Sequence, residues 1–382
     1  MKKIGLCQIV KNESHVIERC LNSVKRLIDY VLIVDTGSTD NTVDVIRNWL
    51  DEHQIAGEVV SEPWQNFAHN RTFALRKLME KDFIDYALML DADEILVFDK
   101  NFDTCKFKSN LTSDVYSVVT KMGGCTYTRP QITSNKKPFE YRGVVHEYLD
   151  MSGCESNDTA LGFFNSPIQD SHRNSNGNKF LQDVTLLESA LENSQDEPWI
   201  KPRYTFYLAQ SYRDLGLKEK ALENYLKRAD MGFWIEEQYV SLYNAGNIMR
   251  DLAYPGSEVI QTYMRAIELI PERAEAFYGA VNYCRLHECH QQGYMIGKYG
   301  LDLQSKDVDY DINKGLFIQS WIYEYGLLDE FSIVAYWSRN YVDARNACQK
   351  LLDENKLPEG YAHRVKNNLM FAFDKLHKTE NT

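Results

Sequence analysis

Tyr86-Ala87-Leu88-Met89-Leu90-Asp91-Ala92-Asp93-Glu94 carries an apolar run straight into three carboxylates within four positions. The run reads as a buried strand. Charge then appears at the strand's carboxyl end, where open α/β sheets place their ligand crevices. Like charges this close raise one another's pKa and are costly without a cation, and all-oxygen ligands favour magnesium or manganese. An Asp-x-Asp pair alone also fits a solvated turn; its place after an apolar strand favours metal binding.

Working upstream, the same alternation recurs. The apolar run Ile4 to Val10 is followed by a helical stretch from His15 to Leu27 and then by Tyr30-Val31-Leu32-Ile33-Val34, a βαβ signature. Ser38-Thr39-Asp40 supplies short polar side chains that can cap a helix carrying Val43, Val45, Ile46 and Leu50. Between them, Asp35 at the strand tip could accept a base or ribose proton, Gly37 permits close approach by a ligand, and the amides after Ser38 form a positive helix end. A further helix, Arg71 to Lys81, leads into the strand that opened the reading.

The chain has 382 residues, which on the usual domain size predicts two cores. Hydrophobic content of 44% with 26% charged residues excludes a disordered chain, and the net charge of −12 argues against a nucleic-acid partner. Eight cysteines at irregular spacing form no Cys-x-x-Cys pair, so buried free thiols are expected. Polar Lys11-Asn12-Glu13 interrupts the first apolar run before a signal-peptide core could form, and no segment approaches the roughly 20 apolar residues of a spanning helix. These features predict a cytoplasmic location and no transmembrane segment, and they leave the oligomeric state open.

After about Leu186 the strand signals largely stop. Tyr204-Thr205-Phe206-Tyr207-Leu208-Ala209-Gln210-Ser211-Tyr212-Arg213-Asp214-Leu215-Gly216 and its partner, carrying Ala221, Tyr225 and Ala229, combine small residues for close helix approach with aromatics to fill the gaps. Similar registers recur near Asn244-Ala245-Gly246 and Gly279-Ala280, and Pro271 marks a repeat end. Three imperfect helical repeats are predicted, with a fourth helical region from Gly315 to Phe373. The expected domains are 1–190 and 191–382.

Three segments, Gln8-Ile9-Val10-Lys11-Asn12-Glu13, Val34-Asp35-Thr36-Gly37-Ser38-Thr39-Asp40 and Leu90-Asp91-Ala92-Asp93-Glu94, together resemble the motifs of family 2 glycosyltransferases of the GT-A fold. The likeness continues through Trp64-Gln65-Asn66-Phe67-Ala68-His69-Asn70-Arg71-Thr72, where Thr72 stands in place of the family's usual Asn after Arg. Thr36 likewise replaces the second aspartate that often follows Asp35. Tyr141-Arg142-Gly143-Val144-Val145-His146-Glu147 resembles the Gly-x-Val-His-Glu segment of the branch bearing helical repeats, as does most of the second half.

The resemblance implies an α/β GT-A domain, Rossmann-like in its nucleotide-diphospho-sugar site, followed by an all-α tetratricopeptide-like domain. It implies nucleotide-sugar contacts at Val10, Asn12, Glu13, Asp35, Arg71, Asp91 and Ala92, a Mn2+ or Mg2+ site at Asp91, Asp93 and His172, and a catalytic base at Glu147. Arg173 or Lys179 is expected near the diphosphate, and the polar stretch Asn174 to Asn178 is expected to form a lid. On the residues alone, His146 and His172 also fit ordinary packing positions and Glu147 a surface carboxylate. The expected activity is inverting transfer of a sugar from a nucleotide diphosphate donor, by resemblance a uridine one, to a peptide, protein or glycan acceptor. The alternatives are a degenerate domain serving as a scaffold and, third, a nucleotidyltransferase, which lacks support because no N-terminal Gly-rich, Lys- or Arg-bearing phosphate loop is present.

Overall fold

In the computed structural model, residues 1–122, 125–175, 178–193, 199–305 and 315–380 are described. The chain divides into two units, Met1–Ile200 and Lys201–Thr382.

The first unit opens as a parallel α/β arrangement. Strand β1 (Ile4–Val10), helix α1 (Ile17–Val24), β2 (Tyr30–Asp35), α2 (Thr42–His53), β3 (Gly57–Ser61), α3 (Phe67–Met79) and β4 (Tyr86–Met89) follow in chain order. Beyond them come β5 (Glu94–Phe98), α4 (Thr104–Ser109), β6 (Val115–Met122), β7 (Cys125–Ser134), β8 (Glu140–Arg142), β9 (Tyr148–Asp150), β10 (Asn157–Pro167), α5 (His172–Ser175) and α6 (Lys179–Asn193). The boundary read from periodicity, 190/191, falls in the last turn of α6.

Eight strands form one sheet in the order β3-β2-β1-β4-β7-β6-β10-β5. The pairs among β3, β2, β1 and β4 are parallel, whereas β7 runs antiparallel to both β4 and β6. Strand order reverses between β1 and β4, and that switch point is where an open sheet leaves a crevice at its strands' carboxyl ends. β1 and β2 are buried along their whole length, which explains their largely apolar composition. One face packs Leu6, Val10 and Ile33 against Cys20, Leu21 and Trp49 of α1 and α2; the other packs Cys7, Ile9 and Val34 with Ala74 and Leu78 of α3. α3 begins before Arg71, its expected start, because Asn66 caps it by accepting the His69 N–H at 2.9 Å.

The second unit is helical. α7 (Lys201–Asp214) pairs with α8 (Lys218–Ala229), α9 (Ile235–Asp251) with α10 (Gly256–Leu269), and α11 (Glu275–Leu286) with α12 (His290–Gln304). These are the three repeats read from the sequence. The fourth region opens with a π-helical turn at Ile322–Gly326 and continues as α13 (Leu327–Trp337), α14 (Tyr341–Asp353) and α15 (Tyr361–Glu380). Gly216 has φ +76° and makes the turn from α7 to α8. Tyr263 of α10 is fully buried, and its ring lies where a Cβ on either Gly246 or Gly279 would stand, 2.6 and 2.5 Å away. The predicted mechanics, small residues accommodating an aromatic between helices, are thus realised at this joint.

Cys7, Cys20, Cys284 and Cys348 are buried free thiols as expected. Cys105 and Cys289 are exposed, so the expectation of burial is corrected for them: each stands at a helix edge facing solvent. Among the described residues no helix is long and apolar enough to cross a membrane.

Candidate active site

Two loops meet beyond the carboxyl ends of β1 and β2. Thr36 donates through both N–H and hydroxyl to the Val10 carbonyl, at 2.9 and 3.0 Å, so that carbonyl is used within the fold while the Val10 side chain is buried. Asn12 adopts the left-handed φ of 58° that asparagine tolerates better than most residues. Its Oδ1 accepts from Thr39 N at 2.7 Å and Asp40 N at 3.3 Å, while its own N–H donates to Ser38 Oγ at 2.9 Å. Asp35 is buried and accepts from Gly37 N at 3.3 Å and Ser38 N at 3.1 Å. Gly37 has φ +104°, and the space around its missing Cβ is open, so the turn itself requires glycine. Asp40 accepts from Thr42 N at 3.0 Å, joining the turn to the start of α2.

The acidic turn after β4 is closed from both ends. Glu94 N donates to Asp91 O at 3.1 Å, and Asp91 N donates to Glu94 Oε2 at 3.0 Å. Ala92 is buried inside the turn. Cys20 Sγ donates to Asp91 O at 3.4 Å and itself accepts from Gln8 Nε2. Glu94, only 3% exposed, is paired with Arg129 of β7, a residue the sequence reading missed because no local spacing links the two.

Arg71 is buried at the centre of the site. Its Nη2 reaches Asp91 Oδ1 at 2.5 Å and its Nε reaches Glu147 Oε1 at 2.5 Å. Burial works to raise the Asp91 pKa, but the charges of Arg71 and Arg129 override it and hold the carboxyl below its ordinary value. Gly143 at φ +103° and His146 at φ 50° bend the chain between β8 and β9 and bring Glu147 to Arg71. Thr72, the residue in place of the expected Asn, accepts the Tyr141 N–H at 2.9 Å and so anchors the start of that bend to α3.

The segment after β10 closes on the carboxylates. Ser171 N donates to Asp93 Oδ2 at 3.3 Å and His172 N to Glu13 Oε2 at 3.2 Å, while Arg19 holds Asp170 through two bonds of 2.8 and 2.6 Å. Glu13 is pushed up to about 7, first by burial and then by the charges of Asp93 and Asp91, against the His172 amide and His15. Arg173 pairs with Asp183 of α6 and lies over the Phe67 ring. Of the stretch Asn174 to Asn178 expected to form a lid, Asn176 and Gly177 lie outside the described residues, and Asn174 and Ser175 belong to the helical turn His172–Ser175.

Asp91, Asp93 and His172 are thus carried by adjacent segments, but among the described residues no group of three such side chains stands at ligating spacing. The donor chemistry nevertheless suits a hard divalent cation, because Glu13, Asp91 and Asp93 bring all-oxygen, negatively charged side chains to one end of the sheet.

Residues 7–143 match the family model described as glycosyl transferase family 2. The first unit contains a family 2 glycosyltransferase domain. An uncharacterized glycosyltransferase of Rickettsia prowazekii is 38% identical over 25% of this chain and 30% of its own length. The glycosyltransferase SunS of Bacillus phage SPbeta is 36% identical over 23% of this chain and 19% of its own. A TPR repeat-containing protein of Synechococcus elongatus is 26% identical over 40% of this chain and 36% of its own. The chain therefore spans well under half the length of these curated relatives. Among solved structures, a tetratricopeptide repeat protein from Parabacteroides merdae matches with TM-score 0.38 and 14% identity over 54% of this chain and 71% of that one. The family 2 domain is joined in this chain to a unit of paired helices. The matched family stretch ends before Glu147 and His172, so those two residues rest on geometry and on the motif likeness.

Proposed function

We propose that the protein is an inverting glycosyltransferase that moves a sugar from a nucleotide diphosphate donor, a uridine one, to a peptide, protein or glycan acceptor recruited by the helical repeats. The observation that carries this reading is the ion-paired set Asp91–Arg71–Glu147 at the switch point of the sheet, beside the loops of Asn12, Glu13 and Asp35.

In this reading the nucleotide lies over the Asn12 and Asp35 loops, with Val10 and Ala92 shaping the floor. Asp91, Asp93 and His172 would hold Mn2+ or Mg2+, which when bound offsets the charge of the departing diphosphate. Arg71, fixed between two carboxylates, orients Glu147 rather than reaching the nucleotide end. Glu147 Oε1 is engaged by Arg71, leaving Oε2 to take the acceptor's proton as the acceptor oxygen, nitrogen or sulfur attacks the anomeric carbon. Two other carboxylates, Asp170 and Glu140, are engaged by Arg19 and by Arg76.

The test is the full chain screened against nucleotide sugars with and without Mn2+, reading thermal shift and donor hydrolysis. A uridine diphosphate sugar that raises the melting temperature only with the cation supports the reading. No response to any donor would sink it and favour the scaffold alternative.

A further inference from the structure

We propose that Arg129 is a positioning residue for the cation and diphosphate site, acting through Glu94 to fix the turn that presents Asp91 and Asp93. The inference rests on the donor-site reading above and adds a residue to it from outside the motifs.

Both oxygens of Glu94 are committed. Oε2 accepts the Asp91 N–H at 3.0 Å, and Oε1 is taken by Nη2 of Arg129. With Glu94 N bonded to Asp91 O, side chain and backbone of one residue clasp the other, so the setting of the Glu94 carboxylate sets the turn. A carboxylate so buried keeps its place only with a charged, hydrogen-bonded partner, and Arg129 is the cation that pairs with it. Arg129 is itself placed by the sheet. β7 runs antiparallel to β4 with Leu88 opposite Ile132, and Arg129 stands three residues further along β7, just past a bulge in its pairing with β6. Gln131 ties the strand to the end of β4 by donating to Met89 O at 3.2 Å. Arg129 therefore reaches Glu94 from a strand locked to the one that delivers the turn.

Two roles make opposite predictions. If Arg129 matters only as a positive charge near a cation site, removing it relieves repulsion, and Mn2+ binds as well or more tightly. If it holds the turn, removing it loosens the ligands, and groups that orient metal ligands typically cost about 10–100-fold in metal affinity when lost.

The experiment is calorimetric titration of Mn2+ into the full chain saturated with UDP. The expected result is weakening of about 10–100-fold in Arg129→Gln, with most of the affinity recovered in Arg129→Lys, which restores the charge opposite Glu94. Equal or tighter Mn2+ binding by Arg129→Gln, while the unaltered chain binds normally, overturns this inference alone. Absence of Mn2+-dependent UDP binding by the unaltered chain overturns the donor-site reading and this inference with it. Should Arg129→Gln not fold, Glu94→Gln serves in its place, since it keeps an oxygen for Asp91 N but turns an amide toward Arg129; unchanged Mn2+ affinity there overturns the inference.

Discussion

Arg71 Nε donates to Glu147 Oε1 at 2.5 Å, although the two residues lie far apart in the chain and on different elements. Because the same guanidinium also holds Asp91, its removal leaves two carboxylates facing each other across a buried gap. Arg71→Ala is expected to cost about 3 kcal/mol of folding stability, the low end for a broken buried pair because Asp91 keeps 33% of its side chain exposed. Urea denaturation measures it. Arg71→Lys should recover little, since an ammonium cannot span both carboxylates in the way a planar fork does.

Glu147→Gln keeps an oxygen for Arg71 and removes the basic carboxylate. Turnover should fall by about 10²–10⁴-fold while UDP affinity stays as it was. Transfer rate and dissociation constant measured side by side check this. A variant with near-normal turnover would move proton removal away from Glu147.

Asp40 supplies a pH signature. Burial works to raise its pKa, but hydrogen bonds from Thr42 and Ser14 outweigh that and hold it down to about 2 from an ordinary 3.8. A carboxyl depressed in the folded state contributes stability that is present above its unfolded pKa and lost as pH falls through the folded one. The acid limb of the stability curve, between about pH 4 and pH 2, should therefore flatten in Asp40→Asn. Melting temperatures across that range give the comparison.

Gly279→Ala tests the helical unit. Alanine is the better helix former by about 1 kcal/mol, yet its Cβ would stand 2.5 Å from the buried Tyr263 ring. Overpacking of about 1–3 kcal/mol should win, lowering stability. A rise in the melting temperature would show that the ring has room to move.

The parallel half of the sheet was legible because its strands are buried on both faces and so spell themselves as apolar runs; β1, β2 and β4 stand where Ile4, Tyr30 and Tyr86 announced them. β7 was not. Its residues Cys125 to Ser134 mix threonines, Arg129 and Pro130, because an antiparallel strand near a site presents polar side chains, and proline inside it argues against a strand. The same holds for the site. Motif residues cluster in sequence and could be named, but Glu94 with Arg129 and Arg71 with Glu147 are joined only by the fold. The start of α3 was misplaced for a local reason, since the Asn66 cap lies ahead of the apolar positions that mark a helix.

Arg71 and Thr72 are neighbours on α3, and between them they grip the Tyr141 to Glu147 segment twice, once at its backbone and once at its carboxylate. The segment is therefore moored to a helix, while β8 and β9 pair with each other in a separate two-stranded sheet. Any displacement of α3 carries Glu147 and its guanidinium together as one body. Since the same guanidinium also bonds Asp91, a shift of the helix that left the acidic turn in place would have to break that ion pair, so helix, candidate base and turn move together or not at all.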